Sequence, residues 1–216
     1  NALVMFANFV FLPGLAYGAQ LALGALGITL VFGILRFSNF SHGDLMAFGT
    51  MITILVTWWL IGAGITLGPL PTALLALPIG IAGAILMSLA IDRLVFRFYR
   101  KQKSASIVLV MASVGVMFIL NGVVRLIIGP NDQRFADGER FLITVREFRE
   151  WTGLAEGLAI RLPVAITVVV AVVVVVALFW FLTYSRTGKA MRAYSDNEDL
   201  ALLSGINPDK VVRVTW

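Results

Sequence analysis

The sequence predicts an all-α, polytopic membrane protein with about five to six transmembrane helices. Three observations predict it. Of 216 residues, 59% are hydrophobic and only 13% are charged, whereas an ordinary soluble domain is about 25% charged. The apolar residues gather into runs near the ~20 residues a helix needs to cross the hydrocarbon core. Lysine and arginine cluster in short segments beside those runs, the pattern that sets orientation in a membrane.

The first span is residues 14–35, preceded by an apolar lead-in over 2–12. The second, 45–61, is slightly short. The third is 70–91, in which Pro71 and Pro78 either kink the helix or mark its start. The fourth is 105–128 and the fifth 162–184. Residues 168–176 are mostly valine and would suggest a strand in water. Inside a longer apolar run they read as helix, because a lone strand cannot satisfy its backbone in lipid. A sixth span opens near Pro208, where Asn207-Pro208 fits an N-cap followed by proline at the first helical position. The sequence stops in VVRVTW as that run begins, so residues 1–216 are expected to form a single membrane domain that is incomplete at its C-terminus. Gly14 and Gly18, Gly24 and Gly27, and Gly80 and Gly83 are spaced to let helices approach closely.

Arg93, Arg97, Arg100, Lys101 and Lys103 crowd the end of the third span, and Arg186, Lys189 and Arg192 follow the fifth. Both segments are expected on the cytoplasmic side. The external loop, 129–161, then lies outside and mixes signs: Asp132, Asp137 and Glu139 against Arg134, Arg140 and Arg146. Counting back puts 36–43 inside and the N-terminus outside.

Several chemistries are excluded. There is no cysteine, and His42 is the only histidine, so thiolate and multi-histidine metal centres are ruled out within this chain. Gly188-Lys189 lacks the upstream glycine of a P-loop, and neither HExxH nor GxSxG occurs. No catalytic residue, metal ligand or cofactor is assigned. The net charge of +5 resides in juxtamembrane segments and indicates no nucleic-acid partner.

Two constellations carry polar chemistry. The first is RFSNFSHGD, residues 36–44, between two apolar runs. A charge at the bilayer centre costs about 3 kcal/mol, so Arg36 and Asp44 must sit at an interface, pair, or face a wet cavity. One reading is an interfacial turn, with Asp44 complementing the dipole of the next helix. The other is a helix break whose polar groups line a substrate path, with Asn39, Ser41, His42, Gly43 and Asp44 as its residues and Gly43 supplying unusual backbone angles. Asn121 joins that candidate set from the fourth span, where it shares a face with Arg125 and where Ser106 and Ser113 also lie. Structural support between helices is the other reading of Asn121.

The second constellation is TGKAMRAYSDNEDLALLSGINPDK, residues 187–210. Ser195 and Glu198 fit an S-x-x-E capping box. Asp196, Glu198 and Asp199 suit a first turn, Ala201, Leu202 and Leu203 make an apolar patch, and Gly205 is placed to end the helix. A short helix capped in this way, with an acidic start, suits docking on a protein better than resting on anionic lipid.

These residues resemble the LivH-type permease subunits of branched-chain amino acid ABC importers, in the inner-membrane translocator superfamily. Four stretches carry the resemblance in family order: GLAYGAQLALGALGITLVFGILRFSNFSHGD with its NF-[SA]-HG-[DE] core, DRLVFRFYRK, IIGPNDQRF, and TGKAMRAYSDNEDLALLSGINPDKV. The resemblance implies a type II ABC importer-like permease without enzymatic activity of its own in the bacterial inner membrane. It further implies a second, LivM-type permease subunit, two cytoplasmic ATPases that power import, and a periplasmic substrate-binding protein. The segment 185–210 becomes a coupling loop, with Arg192, Ser195, Glu198, Asp199, Ala201, Leu202, Gly205 and Ile206 as the residues that meet an ATPase. Urea, short amides or sugars are alternative cargoes within the superfamily, and a channel-like protein is the alternative outside it.

Overall fold

A chain surrounded by lipid has to satisfy its own backbone, and long apolar runs do so as helices. The computed structural model, which describes residues 2–133, 135, 141–153 and 157–216, follows that rule. Helix α1 (Ala2–Leu35) joins the lead-in and the first span into one helix, with a π-helical turn at Ala7–Phe11. Helix α2 is His42–Gly62 and α3 is Ala73–Lys101, with a second π-helical turn at Asp92–Phe96. Helix α4 is Ser106–Ile128. Strand β1 (Phe141–Ile143) precedes α5 (Val145–Thr152), and β2 (Ile160–Arg161) leads into α6 (Leu162–Tyr184). The chain closes with α7 (Arg186–Asp196), α8 (Glu198–Leu203) and α9 (Pro208–Thr215). Among the described residues, α1, α2, α3, α4 and α6 are long and apolar enough to cross a membrane. The chain is thus a mostly helical polytopic membrane protein.

Three boundaries differ from expectation. The basic segment after the third span is helical to Lys101 rather than a loop, because Leu94, Val95, Phe96, Phe98 and Tyr99 sustain apolar content between the arginines. The second span starts three residues early, at His42. Pro71 precedes the third helix, whose N-cap is Thr72, and only Pro78 lies inside it. The valine run is helical as expected.

The chain divides into two compact units. One comprises Asn1–Ala25 and Gly138–Trp180. In it, β1 and β2 pair antiparallel, Phe141 with Arg161 and Ile143 with Ile160. Among the described residues this short pair of strands is a minor addition to a mostly helical chain. Asn8 holds the same region: its Nδ2 donates to the Gly157 carbonyl at 2.8 Å, and its Oδ1 accepts from the Ala159 amide at 2.9 Å. Helix α5 carries a full capping box between Thr144 and Glu147; the main-chain N–H of Thr144, then its hydroxyl, hold the Glu147 carboxyl below its ordinary pKa. Arg134, Asp137, Glu139 and Arg140 lie outside the described residues.

The other unit comprises Leu26–Asp137 and Phe181–Trp216. Its core is built on Phe37, Phe48, Met51, Phe96, Leu109 and Val116. Helices α2 and α3 touch backbone to backbone. A Cβ on Gly80 would run into Thr53 Oγ1 and come within 2.9 Å of the Gly49 carbonyl, and one on Gly83 would strike Ile52. These two glycines therefore form a contact face, as their spacing predicts. A Cβ on Gly14 or Gly18 would meet nothing within 4 Å. The Thr53 and Thr57 hydroxyls donate back to the carbonyls of Gly49 and Thr53 at 2.9 and 2.7 Å, which satisfies them inside an apolar helix.

Candidate functional site

Helix α1 ends at Leu35, and Arg36 turns the chain. Its φ is 56°, the left-handed conformation that usually falls to glycine at this position. Its amide still donates to the Phe32 carbonyl at 3.0 Å. The unusual backbone expected at Gly43 is therefore at Arg36, while Gly43 sits in the regular first turn of α2. Holding a non-glycine residue there costs on the order of 1 kcal/mol, and the Arg36 side chain has a task that glycine cannot perform. Its Nη2 donates to the main-chain carbonyl of Ser195. Ser195 answers in the other direction, its Oγ donating to the Gly33 carbonyl at 2.8 Å. Two hydrogen bonds thus clamp the end of α1 to the end of α7.

This clamp corrects the expected cap. Ser195 lies inside α7, and the N-cap of α8 is Asn197, whose Oδ1 accepts from the Leu200 amide at 3.0 Å. Asparagine caps a helix as well as serine does, and Ser195 is drawn away by Gly33. Glu198 accepts instead from the Tyr194 hydroxyl at 2.6 Å. Burial first, and the neighbouring Glu198 carboxylate second, push the Tyr194 phenol well above its ordinary pKa. At the far end of α8, Gly205 (φ 81°) donates to Leu202 and Ile206 donates to Ala201, each at 3.0 Å. That pair of bonds is a Schellman motif. Ala201 is buried with Ile34, Met191, Tyr194 and Val211. Leu200, Leu202 and Leu203 are exposed, as are Arg192, Glu198 and Asp199. Gly188 owes its identity to packing: a Cβ there would collide with the Phe181 carbonyl.

The break itself, residues 36–41, is tied down by α4. Ser106 Oγ donates to the Arg36 carbonyl at 3.0 Å. Ser113, fully buried, accepts from the Phe40 amide at 3.1 Å and donates to the Val110 carbonyl at 2.7 Å. Asn121 Nδ2 donates to Asp44 Oδ1 at 3.0 Å. Residues seven and eight apart fall on one side of a helix, so these three side chains form a polar edge along α4. Within the break, Asn39 Oδ1 accepts from both the amide (3.1 Å) and the hydroxyl (2.7 Å) of Ser41. Asn39 and Ser41 are both buried, and Asn39 Nδ2 meets no acceptor among the described residues. His42 packs against α1, where a Cβ on Gly27 would lie 2.5 Å from its Nε2. Gly27 thereby makes room for the imidazole.

The structure thus joins Asp44 to Asn121 and Asn39 to Ser41, and seats His42 on Gly27. The sequence reading missed the clamp partners Gly33 and Arg36, the cap Asn197, and the part played by Ser106 and Ser113. The serine spacing was visible, but it does not say what the hydroxyls meet. The basic end of α3 and α9 belong to the same end of this unit, through Arg97 Nη2 and Asp209 Oδ2 at 3.4 Å. The three segments expected on the cytoplasmic side adjoin one another: Arg36 meets Ser195, and Phe37 packs against Phe96. Among the described residues, no group of three carboxylate or imidazole side chains gathers to hold a metal ion.

Residues 10–216 match the family described as the permease component of the branched-chain amino acid transport system. The chain is 29% identical over 211 residues to the high-affinity branched-chain amino acid transport system permease protein LivH of Escherichia coli strain K12. It is 28% identical over 211 residues to LivH of Salmonella typhimurium. Each comparison covers 94% of this chain and 63% of the relative. The permease protein BraD of Pseudomonas aeruginosa is 25% identical over 205 residues, covering 94% of this chain and 64% of that protein. The chain therefore spans less than two thirds of the length of these relatives. No solved structure matches it.

Proposed function

This chain belongs to the family of branched-chain amino acid transport permease components, and on that premise we propose that it is the translocation subunit of an ATP-driven importer. Its cargo is branched-chain amino acids, moved inward across a bacterial inner membrane. The observation that carries the proposal is the clamp of Arg36 and Ser195 between α1 and α7. It places a short helix, capped at both ends and exposing Leu200, Leu202 and Leu203, just beyond Ser195, which is fixed to the end of a membrane span. Such a helix suits the role of a rigid foot on a cytoplasmic ATPase. Movement of α8 reaches the break at 36–41 through the clamp, and reaches α4 through Ser106, Ser113 and Asn121.

In this reading, Asn39, Ser41, His42, Gly43, Asp44 and Asn121 border the path of the substrate. Arg36 is committed to Ser195, so Asp44 is the charged group left to meet a substrate ammonium. The buried Asn39 Nδ2 is a donor available to a carboxylate. ATP hydrolysis belongs to two partner ATPases. A second permease subunit completes the path, and a periplasmic binding protein delivers substrate to the side bearing β1, α5 and β2.

The test is uptake into vesicles carrying the assembled transporter, loaded with ATP, with labelled leucine, urea and a short amide compared. The proposal expects ATP-dependent leucine uptake. Uptake of urea or amide without leucine contradicts the cargo, and leucine flux that ignores ATP contradicts the coupling.

A further inference from the structure

Four arginines surround a cavity of about 290 Å³ where the end of α3 meets α9. A water molecule takes up about 30 Å³ of liquid, so the space admits a much larger polar group. Arg93, Arg97 and Arg100 come from α3 and Arg213 from α9, and Leu89 forms an apolar wall. Two carboxylates, Asp92 and Asp209, also line it. Asp92 is buried and is neutralised by Arg100, with Nη1 2.7 Å from Oδ1. Among the described residues the Asp209 carboxylate pairs with Arg97 alone, at 3.4 Å and exposed to solvent, a kind of contact worth little in water. The positive charge is therefore in excess. Arg97 Nε is buried without an acceptor, and Arg93 meets none among the described residues. Arg213 directs its Nε to the Asp209 main-chain carbonyl at 3.1 Å.

Guanidinium forks match phosphate oxygens two by two. Beside the arginines, Leu94 and Phe98 are 78% and 55% exposed, and their four-residue spacing puts them on one face of α3. A cationic cavity bordered by apolar side chains, at the end of a membrane span, has the character of a lipid-headgroup site. We propose that this cavity binds the phosphate of an anionic phospholipid, with the acyl chains lying along Leu94 and Phe98. The proposal does not depend on which cargo the protein carries.

The experiment titrates phosphatidylglycerol against the assembled membrane protein and reads bound lipid by native mass spectrometry. Phosphatidylcholine and inorganic phosphate are the comparison arms. The expected result is saturable phosphatidylglycerol binding that weakens about thirtyfold in the Arg93→Gln/Arg97→Gln variant. The charge-matched Arg186→Gln/Lys189→Gln variant retains it. If the first variant does not assemble, Arg93→Gln alone carries the test, with an expected weakening of about fivefold. Equal binding of phosphatidylcholine, or equal loss in the two double variants, overturns the proposal. Displacement of the lipid by millimolar inorganic phosphate also overturns it, in favour of a free-anion site.

Discussion

The Arg36 side chain donates to the main-chain carbonyl of Ser195 across 159 residues of sequence. The donor sits at the end of a membrane span, in a left-handed conformation, and the acceptor sits just before the short helix α8. The Ser195 hydroxyl returns a bond to Gly33. This exchange fastens two segments far apart in sequence to each other.

Asn197→Ala removes the cap of α8 and is expected to cost about 1 kcal/mol locally. Ser195→Ala leaves that cap in place and loosens the seat of α1 instead. Hydrogen exchange separates the two. The Leu200 amide should exchange about fivefold faster in Asn197→Ala and at the unaltered rate in Ser195→Ala.

Asn121→Ala strips Asp44 of its partner at 3.0 Å and is expected to destabilise the protein by about 1–3 kcal/mol. Asp44→Asn is milder, since an amide can still pair with Asn121. The double variant Asp44→Ala/Asn121→Ala should lose less than the sum of its single variants, because the two residues share one interaction. Thermal unfolding in detergent of the unaltered protein, Asp44→Ala, Asp44→Asn, Asn121→Ala and the double variant measures this.

Tyr194 is held protonated by burial and by Glu198. A raised folded-state pKa contributes stability that is fully present below the unfolded value and declines as pH rises past it. The contact should therefore persist from pH 6 to pH 9, with pH-dependent loss only above about 10. Tyr194→Phe should lower stability by about 1 kcal/mol at neutral pH and abolish the part of the alkaline decline owed to this residue. Melting curves at pH 7 and pH 10.5 read both effects.

The membrane spans were legible because hydropathy and length decide them. Leu162–Tyr184 appears in the structure with the bounds read from its sequence. Ends were harder. The segment through Lys101 mixes arginine with phenylalanine and leucine, a composition equally compatible with a basic loop and an amphipathic helix. In residues 187–210 the sequence reading took Ser195 as the cap and passed over Asn197, although both are good N-cap residues. Local preference does not separate them, and the contact of Ser195 with Gly33, a tertiary interaction, decided for Asn197. The polar stretch 36–44 stood out by composition, whereas its fastening by Ser106 and Ser113 did not. A hydroxyl in a membrane helix satisfies itself on its own backbone as readily as it holds a neighbour.

The central claim is that the clamp transmits force between α8 and the helix break. Leucine transported per ATP hydrolysed, in vesicles carrying the assembled transporter with Arg36→Ala or Arg36→Gly, tests it most directly. Glycine relieves the left-handed backbone, and both variants lose the guanidinium. The account predicts that both reduce the ratio about tenfold or more, a loss of roughly 1.4 kcal/mol of coupling, while ATP hydrolysis continues. A ratio equal to that of the unaltered protein in both variants contradicts it.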